Sequence, residues 1–236
     1  MNHVIALSGG KDSSAMALRL AEVEPRDYTY LCTPTGDELP DMLLHWARLE
    51  ELLGKPITRL TNGTLDSWIE KFQALPNWRQ RWCTRVLKIE PCIAYMKEHA
   101  PCTLYVGLRA DEEERQGIYG DFAEYRYPLR EWEWGVEEVW AYLNERGIKI
   151  PRRTDCARCY GQRLIEWKRL WQDYPAVYAD AEAQEERIGA TFRSPGRDTW
   201  PAALKLLRAE FERGRKVRGE DVDVDEEKQS CRVCRL

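Results

Sequence analysis

A short apolar stretch, a glycine turn and a helical pattern at residues 3–23 constrain the fold of this chain most. HVIAL, residues 3–7, is typical of a buried strand, and residues 12–23 place apolar side chains near one face of a helix. Between them lie Gly9 and Gly10, which allow the backbone to approach an anion closely. The N–H groups at the start of the helix would point at that anion, so the stretch predicts a phosphate-binding loop.

The rest of the first 150 residues repeats the alternation of strand and helix. Strand patterns lie at 27–33, 56–60, 103–108 and 125–129, and helical patterns lie at 41–53, 64–74, 85–99 and 135–146. This order predicts the α/β class, with a parallel twisted sheet covered by helices on both faces. Ligands of such sheets bind at the carboxyl ends of the strands, where the glycine turn lies.

The pattern changes after Pro151, where helical stretches at 162–189 and 200–217 follow one another without a strand. We therefore predict three parts of the chain. They are a nucleotide-binding α/β domain at 1–150, a helical cysteine-containing extension at 151–218, and a flexible acidic linker with a CxxC tail at 219–236.

Composition excludes some classes of protein. The 236 residues carry a net charge of −4, which argues against a globally basic nucleic-acid binder. Basic residues nevertheless concentrate at 79–97 and 152–169, which suits an anionic ligand, although a solvated charged face would look the same. The sequence has neither an apolar run long enough for a membrane span nor a signal peptide, so we expect a cytoplasmic protein without membrane contact.

The side chains of the glycine turn suggest what it binds. Lys11 supplies a positive charge, and the hydroxyls of Ser8 and Ser13 supply hydrogen-bond donors. Asp12 would repel a phosphate unless a cation lies between them, which predicts Mg²⁺. The spacing differs from the P-loop pattern, because the glycines adjoin the lysine and an aspartate follows it.

The hexapeptide Ser8-Gly9-Gly10-Lys11-Asp12-Ser13 resembles the PP-loop of ATP pyrophosphatases, which split ATP between its α and β phosphates. Further segments resemble phosphoadenosine phosphosulfate (PAPS) reductases in the same order along the chain. They are PTGDELPDM at 34–42, RWCTRVLKIEP at 81–91, VGLRADEEERQ at 106–116, YPLREWEWGVEEVWAYLNERGI at 127–148 and CARC at 156–159. Two departures stand out: Pro34 replaces the usual Asp, and Trp82 replaces the first Cys of a pair.

The resemblance implies an adenine nucleotide α-hydrolase-like fold and a PP-loop ATP pyrophosphatase of the PAPS reductase family. That superfamily also contains tRNA thiolation enzymes and the pyrophosphatase component of DNA phosphorothioation systems. The implied ligand-binding residues hold ATP and Mg²⁺, and they are Ser8, Gly9, Gly10, Lys11, Asp12, Ser13, Thr35 and Gly36.

Four basic residues outside the loop are further candidates for binding the anion. Arg109 and Arg115 could clamp a phosphate or sulfate, because a guanidinium binds such groups through two nitrogens. Surface salt bridges are the alternative for both of these arginines. Arg85 and Lys88 lie one helical turn apart and could face the same anion.

The cysteines indicate which metal or redox chemistry the chain could carry out. Cys156 and Cys159 form a chelating CxxC pair, and two thiolates at this spacing can hold one metal ion. The resemblance adds Cys83, in the segment where adenylyl-sulfate reductases carry a Cys-Cys pair, and so implies three thiolate ligands to a [4Fe–4S] cluster. Zinc bound by four cysteines, two buried structural cysteines, and a redox pair are the alternatives.

The tail carries a second CxxC pair, Cys231 and Cys234, behind the acidic linker. A mobile tail could carry a nucleophilic thiolate or a persulfide into the cleft, and the neighbouring arginines would favour the thiolate. A disordered terminus with incidental cysteines is the alternative. The catalytic candidates are therefore Lys11, Asp12, Arg109, Cys231 and Cys234.

Three functions are compatible with these motifs. The first is cleavage of ATP to AMP and pyrophosphate, which adenylates an acceptor that then receives sulfur from a partner cysteine desulfurase; the acceptor would be a nucleic acid, in DNA phosphorothioation or tRNA thiolation. The second is a PAPS or adenylyl-sulfate reductase that releases sulfite with thioredoxin as partner. The third is a nucleotide-binding regulatory module without turnover. A homodimer is one candidate assembly state.

Overall fold

The computed structural model describes residues 1–112 and 123–220. The strands in those ranges are Asn2–Ala6 (β1), Tyr28–Cys32 (β2), Ile57–Arg59 (β3), Cys102–Tyr105 (β4) and Glu124–Arg126 (β5). The helices of the first 150 residues are Lys11–Val23 (α1), Pro40–Leu53 (α2), Leu65–Phe72 (α3), Trp82–Thr84 (α4), Glu90–Glu98 (α5), Pro128–Glu131 (α6) and Val136–Glu145 (α7). Three helices follow, at Leu164–Asp173 (α8), Pro175–Ile188 (α9) and Leu204–Glu212 (α10).

The five strands form one parallel sheet in the order β3-β2-β1-β4-β5. The strands β2 and β3 therefore extend the sheet on one side of β1, and β4 and β5 extend it on the other side. This reversal places a crevice at the carboxyl ends of β1 and β4, where ligands of open α/β sheets bind. The predicted α/β class with a parallel sheet is confirmed, and the glycine turn lies in that crevice.

Both faces of the sheet are covered, as the alternation along β1 requires. Ile5 packs with Met16 of α1 and Trp46 of α2 on one face. Val4 packs with Met96 of α5 and Leu104 of β4 on the other. Both β1 side chains are fully buried or nearly so, and they fix the start of the glycine turn relative to the sheet.

A third apolar cluster joins the C-terminal helices to the first part of the chain. Leu170 and Tyr178 pack in it with Ile69 of α3 and Val86, which precedes α5. The segment that carries Cys156 and Cys159 therefore lies between two parts that share a core. The division of the chain at 150 and 218 stays a prediction.

Two predicted helices are interrupted. The helix expected over 162–189 breaks at Tyr174, because Pro175 cannot continue the hydrogen bonding of α8 and instead begins α9. The helix expected over 85–99 contains a wide turn at Arg85–Ile89, in which Glu90 N donates to Arg85 O, five residues earlier. Pro91 follows this turn and has no N–H to donate, which favours the wider spacing.

No helix of the two described ranges has the length and apolar character that a bilayer-spanning segment needs.

Candidate nucleotide and thiol site

The loop between β1 and α1 has the close packing that its glycines predict. Gly9 has a φ of +86°, and a Cβ added there would lie 2.1 Å from Met42 Cε and 2.6 Å from Trp46 Nε1 of α2. A side chain at this position would therefore be strained and would also clash. Gly107, after β4, is similarly crowded, because an added Cβ would lie 3.1 Å from Ser13 N. Helix α2 and the segment after β4 thus both press directly on the loop.

Hydroxyl groups hold the loop in this shape. Ser8 Oγ lies 3.0 Å from Ser13 Oγ, and Gly9 N donates to Ser13 Oγ at 3.2 Å. The first hydrogen bond of α1 runs from Ser14 N to Gly10 O at 2.9 Å. The N–H groups of residues 11–13 precede it and face out of the helix start, where an anion is favoured.

A charged network covers one side of the loop. Lys11 Nζ lies 3.2 Å from Asp12 Oδ2, and Arg109 Nη1 donates to the same oxygen at 3.0 Å. Arg109 also donates to both oxygens of Asp111, and only 4% of it is exposed. Burial opposes its charge, but the Asp111 hydrogen bond and the Asp12 charge prevail and raise the pKa of Arg109.

The other oxygen of Asp12, Oδ1, is buried, and no described residue hydrogen-bonds to it. A buried carboxylate oxygen without a partner is costly, and a cation is one group that would satisfy it. The glycine cradle, the helix start and this oxygen together fit a phosphate chain accompanied by Mg²⁺.

Sequence reasoning missed two residues of α2 that hydrogen-bond to the loop or to the first turn of α1. Trp46 Nε1 donates to Ser8 O at 3.0 Å, and His45 Nε2 lies 3.5 Å from Ser14 Oγ. Burial lowers the pKa of His45, against the hydrogen bond to the Gly9 backbone, so the ring is held neutral. Both side chains come from α2, and nothing in the helical pattern of 41–53 indicates that they contact the loop.

The loop after β2 connects the nucleotide crevice to the CxxC segment. Thr35 is buried, and its Oγ1 donates to Glu38 Oε1 at 2.7 Å and lies 3.3 Å from Cys156 Sγ. Gly36 has a φ of +72°, and its N–H donates to Glu38 Oε2. Thr35 and Gly36, predicted to line the adenosine pocket, thus lie between the carboxyl end of β2 and the CxxC pair.

A buried ion pair fixes the CxxC turn against that loop. Arg158, within the CxxC, donates from its backbone N to Asp37 Oδ2 at 2.8 Å and from Nε to Oδ1 at 2.6 Å. Ala157 N donates to Asp37 O at 2.7 Å. Arg158 Nη1 also reaches Asp66 Oδ1 at 2.8 Å. Burial opposes the charge of Arg158, but Asp37 and Asp66 prevail and raise its pKa.

The three cysteines implied as metal ligands line one pocket of about 370 Å³, a volume that includes its open mouth. Cys83 enters from α4, and Cys156 and Cys159 come from the segment before α8. Arg153 donates twice to Cys156 O, at 3.0 and 2.9 Å, and so fixes the backbone of the pair. Thr35 and Lys88 also line the pocket, which therefore combines thiols with a cation.

As arranged, the described residues contain no group of three or more His, Cys, Asp or Glu side chains that could hold a metal ion. The three thiols suit a thiophilic metal by their chemistry, but they would have to draw together to bind one. Trp82, at the position of the missing fourth cysteine, is buried and packs edge-on to Phe72 at 5.3 Å. It thus contributes to the core.

The other predicted site residues have different surroundings. The side chain of Arg85 is 63% exposed, and its Nε lies 3.6 Å from Glu90 Oε1. Lys88 instead lines the thiol pocket. The two residues belong to the wide turn at Arg85–Ile89, which changes the helical spacing between them. Arg115, Cys231 and Cys234 lie outside the described residues.

A parallel sheet whose central strand ends in a glycine phosphate loop at a helix start defines a nucleotide-binding PP-loop protein. The chain belongs to the phosphoadenosine phosphosulfate reductase domain family, which matches residues 2–152.

The proteins similar to the chain include two curated relatives and two solved structures. The uncharacterized proteins MJ0066 and MJ0973 of Methanocaldococcus jannaschii are 22% and 26% identical over 84% and 73% of this chain. Those alignments cover 45% of each relative, so the chain spans about half the length of the curated relatives it matches.

Both structures share the fold at a TM-score of 0.50. The PAPS reductase of Candida auris, solved with phosphate, is 15% identical and aligns over 63% of this chain and 74% of its own. The U34-tRNA thiolase NcsA of Methanococcus maripaludis, solved with its [4Fe–4S] cluster, is 17% identical over 99% of this chain and 80% of its own.

Proposed function

We propose that this protein is an ATP pyrophosphatase that activates an acceptor for sulfur transfer. The observation that carries the proposal is the loop between β1 and α1, with the positive φ of Gly9, the helix start at Lys11 and the oxygen of Asp12 that lacks a partner. Family membership and the likeness to NcsA favour sulfur chemistry. The loop and the thiol pocket are neighbours: an added Gly10 Cβ would lie 3.7 Å from Thr154 Oγ1, two residues before Cys156.

Each residue of the loop has a role in this reaction. The N–H groups at the start of α1 and the hydroxyls of Ser8 and Ser13 bind the departing pyrophosphate. Lys11 neutralises charge on it, and Asp12 binds Mg²⁺ through the oxygen that lacks a partner. Arg109, held by Asp12 and Asp111, stabilises charge that develops at the α phosphate.

The reaction proceeds in two steps. An oxygen of the acceptor attacks the α phosphorus of ATP, the bond to the β phosphate breaks, and pyrophosphate leaves. Sulfide, which a thiol reductant releases from the persulfide of a cysteine desulfurase, then displaces AMP, so the acceptor exchanges an oxygen for a sulfur. A tRNA base or a DNA backbone phosphate is the acceptor that we propose, because the stretch 79–97 carries five basic residues and only one acidic residue, Glu90.

Cys83, Cys156 and Cys159 would hold a metal centre in this scheme. A [4Fe–4S] cluster with three protein ligands would supply an iron site at which sulfide binds, and Zn²⁺ is the alternative ion. Cys231 and Cys234 of the tail are proposed sulfur carriers. The division into a nucleotide domain, a helical extension and a tail, and a homodimeric assembly, are part of the same proposal.

A reductase acting on PAPS or adenylyl sulfate, with release of sulfite, is the second candidate. It is favoured by the family match and by the likeness to the Candida auris enzyme. The complete SGGKDS loop argues for ATP instead, because a reductase releases no pyrophosphate.

Calorimetry on protein purified without oxygen separates the two. MgATP and PAPS are titrated in separate experiments into the full chain. We expect MgATP to bind at least tenfold more tightly than PAPS. Tighter binding of PAPS would overturn the proposal in favour of the reductase.

A further inference from the structure

A hydrogen-bonded turn at residues 77–80 follows Pro76, which lines the thiol pocket, and carries two exposed side chains, Trp78 and Arg79. Asn77 Oδ1 accepts hydrogen bonds from Arg79 N and Gln80 N, both at 2.9 Å, and Asn77 N donates to Gln80 O at 3.3 Å. These bonds fix the backbone of the turn, so Trp78 and Arg79 are presented in defined positions.

Trp78 touches a residue that lines the thiol pocket, and its own side chain stays partly exposed. Its ring meets the Tyr160 ring edge-on, with centroids 5.3 Å apart, and 44% of Trp78 remains exposed. Tyr160 lines the pocket together with Pro76, the residue before the turn. An aromatic side chain held edge-on at a pocket mouth leaves ring surface available for stacking.

The chain segment around this ring is basic. The stretch 76–88 contains Arg79, Arg81, Arg85 and Lys88 and no acidic residue, and Arg85 lies 3.6 Å from Glu90 just beyond it. Arg79 is exposed, and no acidic side chain of the described ranges forms an ion pair with it. A positively charged segment with an exposed aromatic ring complements a strand of bases and phosphates.

We propose that Trp78 stacks a base of single-stranded nucleic acid and that Arg79 contacts an adjacent phosphate. The contact would direct the neighbouring nucleotide of the strand into the thiol pocket. This inference rests on the proposed transfer of sulfur to nucleic acid and names the surface that recognises the acceptor. It does not depend on the identity of the base, because every base has a face that can stack.

Fluorescence anisotropy of the full chain with a labelled single-stranded oligouridine of 12 nucleotides tests the inference. Trp78→Ala should weaken binding by about tenfold or more, and Trp78→Phe should restore most of the loss. A plot of log K against log salt has a negative slope. Arg79→Gln should make that slope less steep by about 0.7, which is the contribution of one phosphate contact on a single strand.

Matched controls lie on two helices outside the turn at 77–80. Leu206→Ala removes a side chain that is 58% exposed on α10, and Arg48→Gln removes a cation that is 63% exposed on α2. Both should bind the oligouridine as the wild type does, and thermal unfolding of every variant checks that the fold is kept.

Binding by Trp78→Ala and Arg79→Gln within twofold of the wild type would overturn the inference. So would wild-type protein that binds MgATP but neither oligouridine nor bulk tRNA, and the pyrophosphatase proposal would then still stand. Failure of the wild type to bind MgATP, with oligouridine binding that depends on Trp78, would overturn the proposed function and support the surface.

Discussion

Gly9 is the position at which the phosphate loop tolerates least change. We expect Gly9→Ala to weaken MgATP binding by at least about tenfold, because the new methyl group would meet Met42 and Trp46 and the backbone φ is positive. Calorimetric titration of MgATP measures the effect. Gly54→Ala is the matched control, since Gly54 also has a positive φ but nothing within 4 Å of an added Cβ.

Equal MgATP affinity in the Gly9 and Gly54 variants would contradict this reading of the loop. Loss of affinity in Gly9→Ala alone would show that crowding against α2 is responsible, because the backbone strain is common to the two positions.

Glu185 of α9 is a buried carboxyl that bridges two parts of the C-terminal region. It accepts hydrogen bonds from Phe192 N and Leu204 N, at 2.8 and 2.7 Å. Burial raises the pKa of Glu185 to about 7, against the effect of these two donors. Between the unfolded pKa near 4.5 and the folded pKa, the folded state holds a proton that the unfolded state has lost.

The stabilisation from this group is therefore fully present below pH 4.5 and is lost as pH rises to about 7. We expect the free energy of unfolding to fall between pH 5 and pH 8 by up to about 3 kcal/mol from Glu185. Urea unfolding across that range measures it. Glu185→Gln should remove this part of the slope, and an unchanged slope in the variant would contradict the assignment.

At the scale of elements, the strands were the most predictable part of the chain. β1, β2 and β4 are short runs of apolar side chains buried on both faces, a pattern that the sequence displays directly. Helix interruptions were less predictable. The wide turn at Arg85–Ile89 and the break at Tyr174 both arise beside a proline, and the helical periodicity continues across them.

The CxxC turn depends on an ion pair between distant segments. We expect Asp37→Asn to destabilise the protein by about 3 kcal/mol, because Arg158 would keep its charge while losing a buried partner. Alkylation of Cys156 and Cys159 by iodoacetamide should also become several-fold faster than in the wild type. Mass spectrometry of the labelled peptides and urea unfolding measure the two effects.

Asp66→Asn is the control for that experiment. Asp66 contacts the same guanidinium at Nη1, but its side chain is 55% exposed and it does not touch the CxxC backbone. Similar alkylation rates in the two variants would show that Asp37 does not position the cysteines.

For the whole molecule, the sequence located the site but not its supports. The loop motif and the strand alternation were sufficient to place Ser8–Ser13 in the crevice between β1 and β4. The contacts of Trp46 and His45 below the loop, and of Asp37 with Arg158, join residues 31 to 121 positions apart. Pairings at that distance are decided by tertiary packing and leave no local pattern.

In the folded chain, the glycine loop and the thiol pocket lie close to one another. Thr154 lies beside Gly10 of the glycine loop, and Cys156 contacts Thr35 in the loop after β2. The CxxC segment therefore passes from the nucleotide crevice to the thiol pocket within a few residues. This proximity is what a reaction that first adenylates and then thiolates an acceptor requires.

Product analysis with ATP labelled on the α phosphate and, in a parallel reaction, on the γ phosphate tests the central claim most directly. The full chain, prepared without oxygen, is incubated with Mg²⁺, sulfide and bulk tRNA or single-stranded DNA, alongside Lys11→Gln. We predict AMP and pyrophosphate in equal amounts from the wild type and at least about tenfold less from the variant. Formation of ADP and phosphate, or intact ATP with every acceptor while PAPS and reduced thioredoxin yield sulfite, would contradict the account.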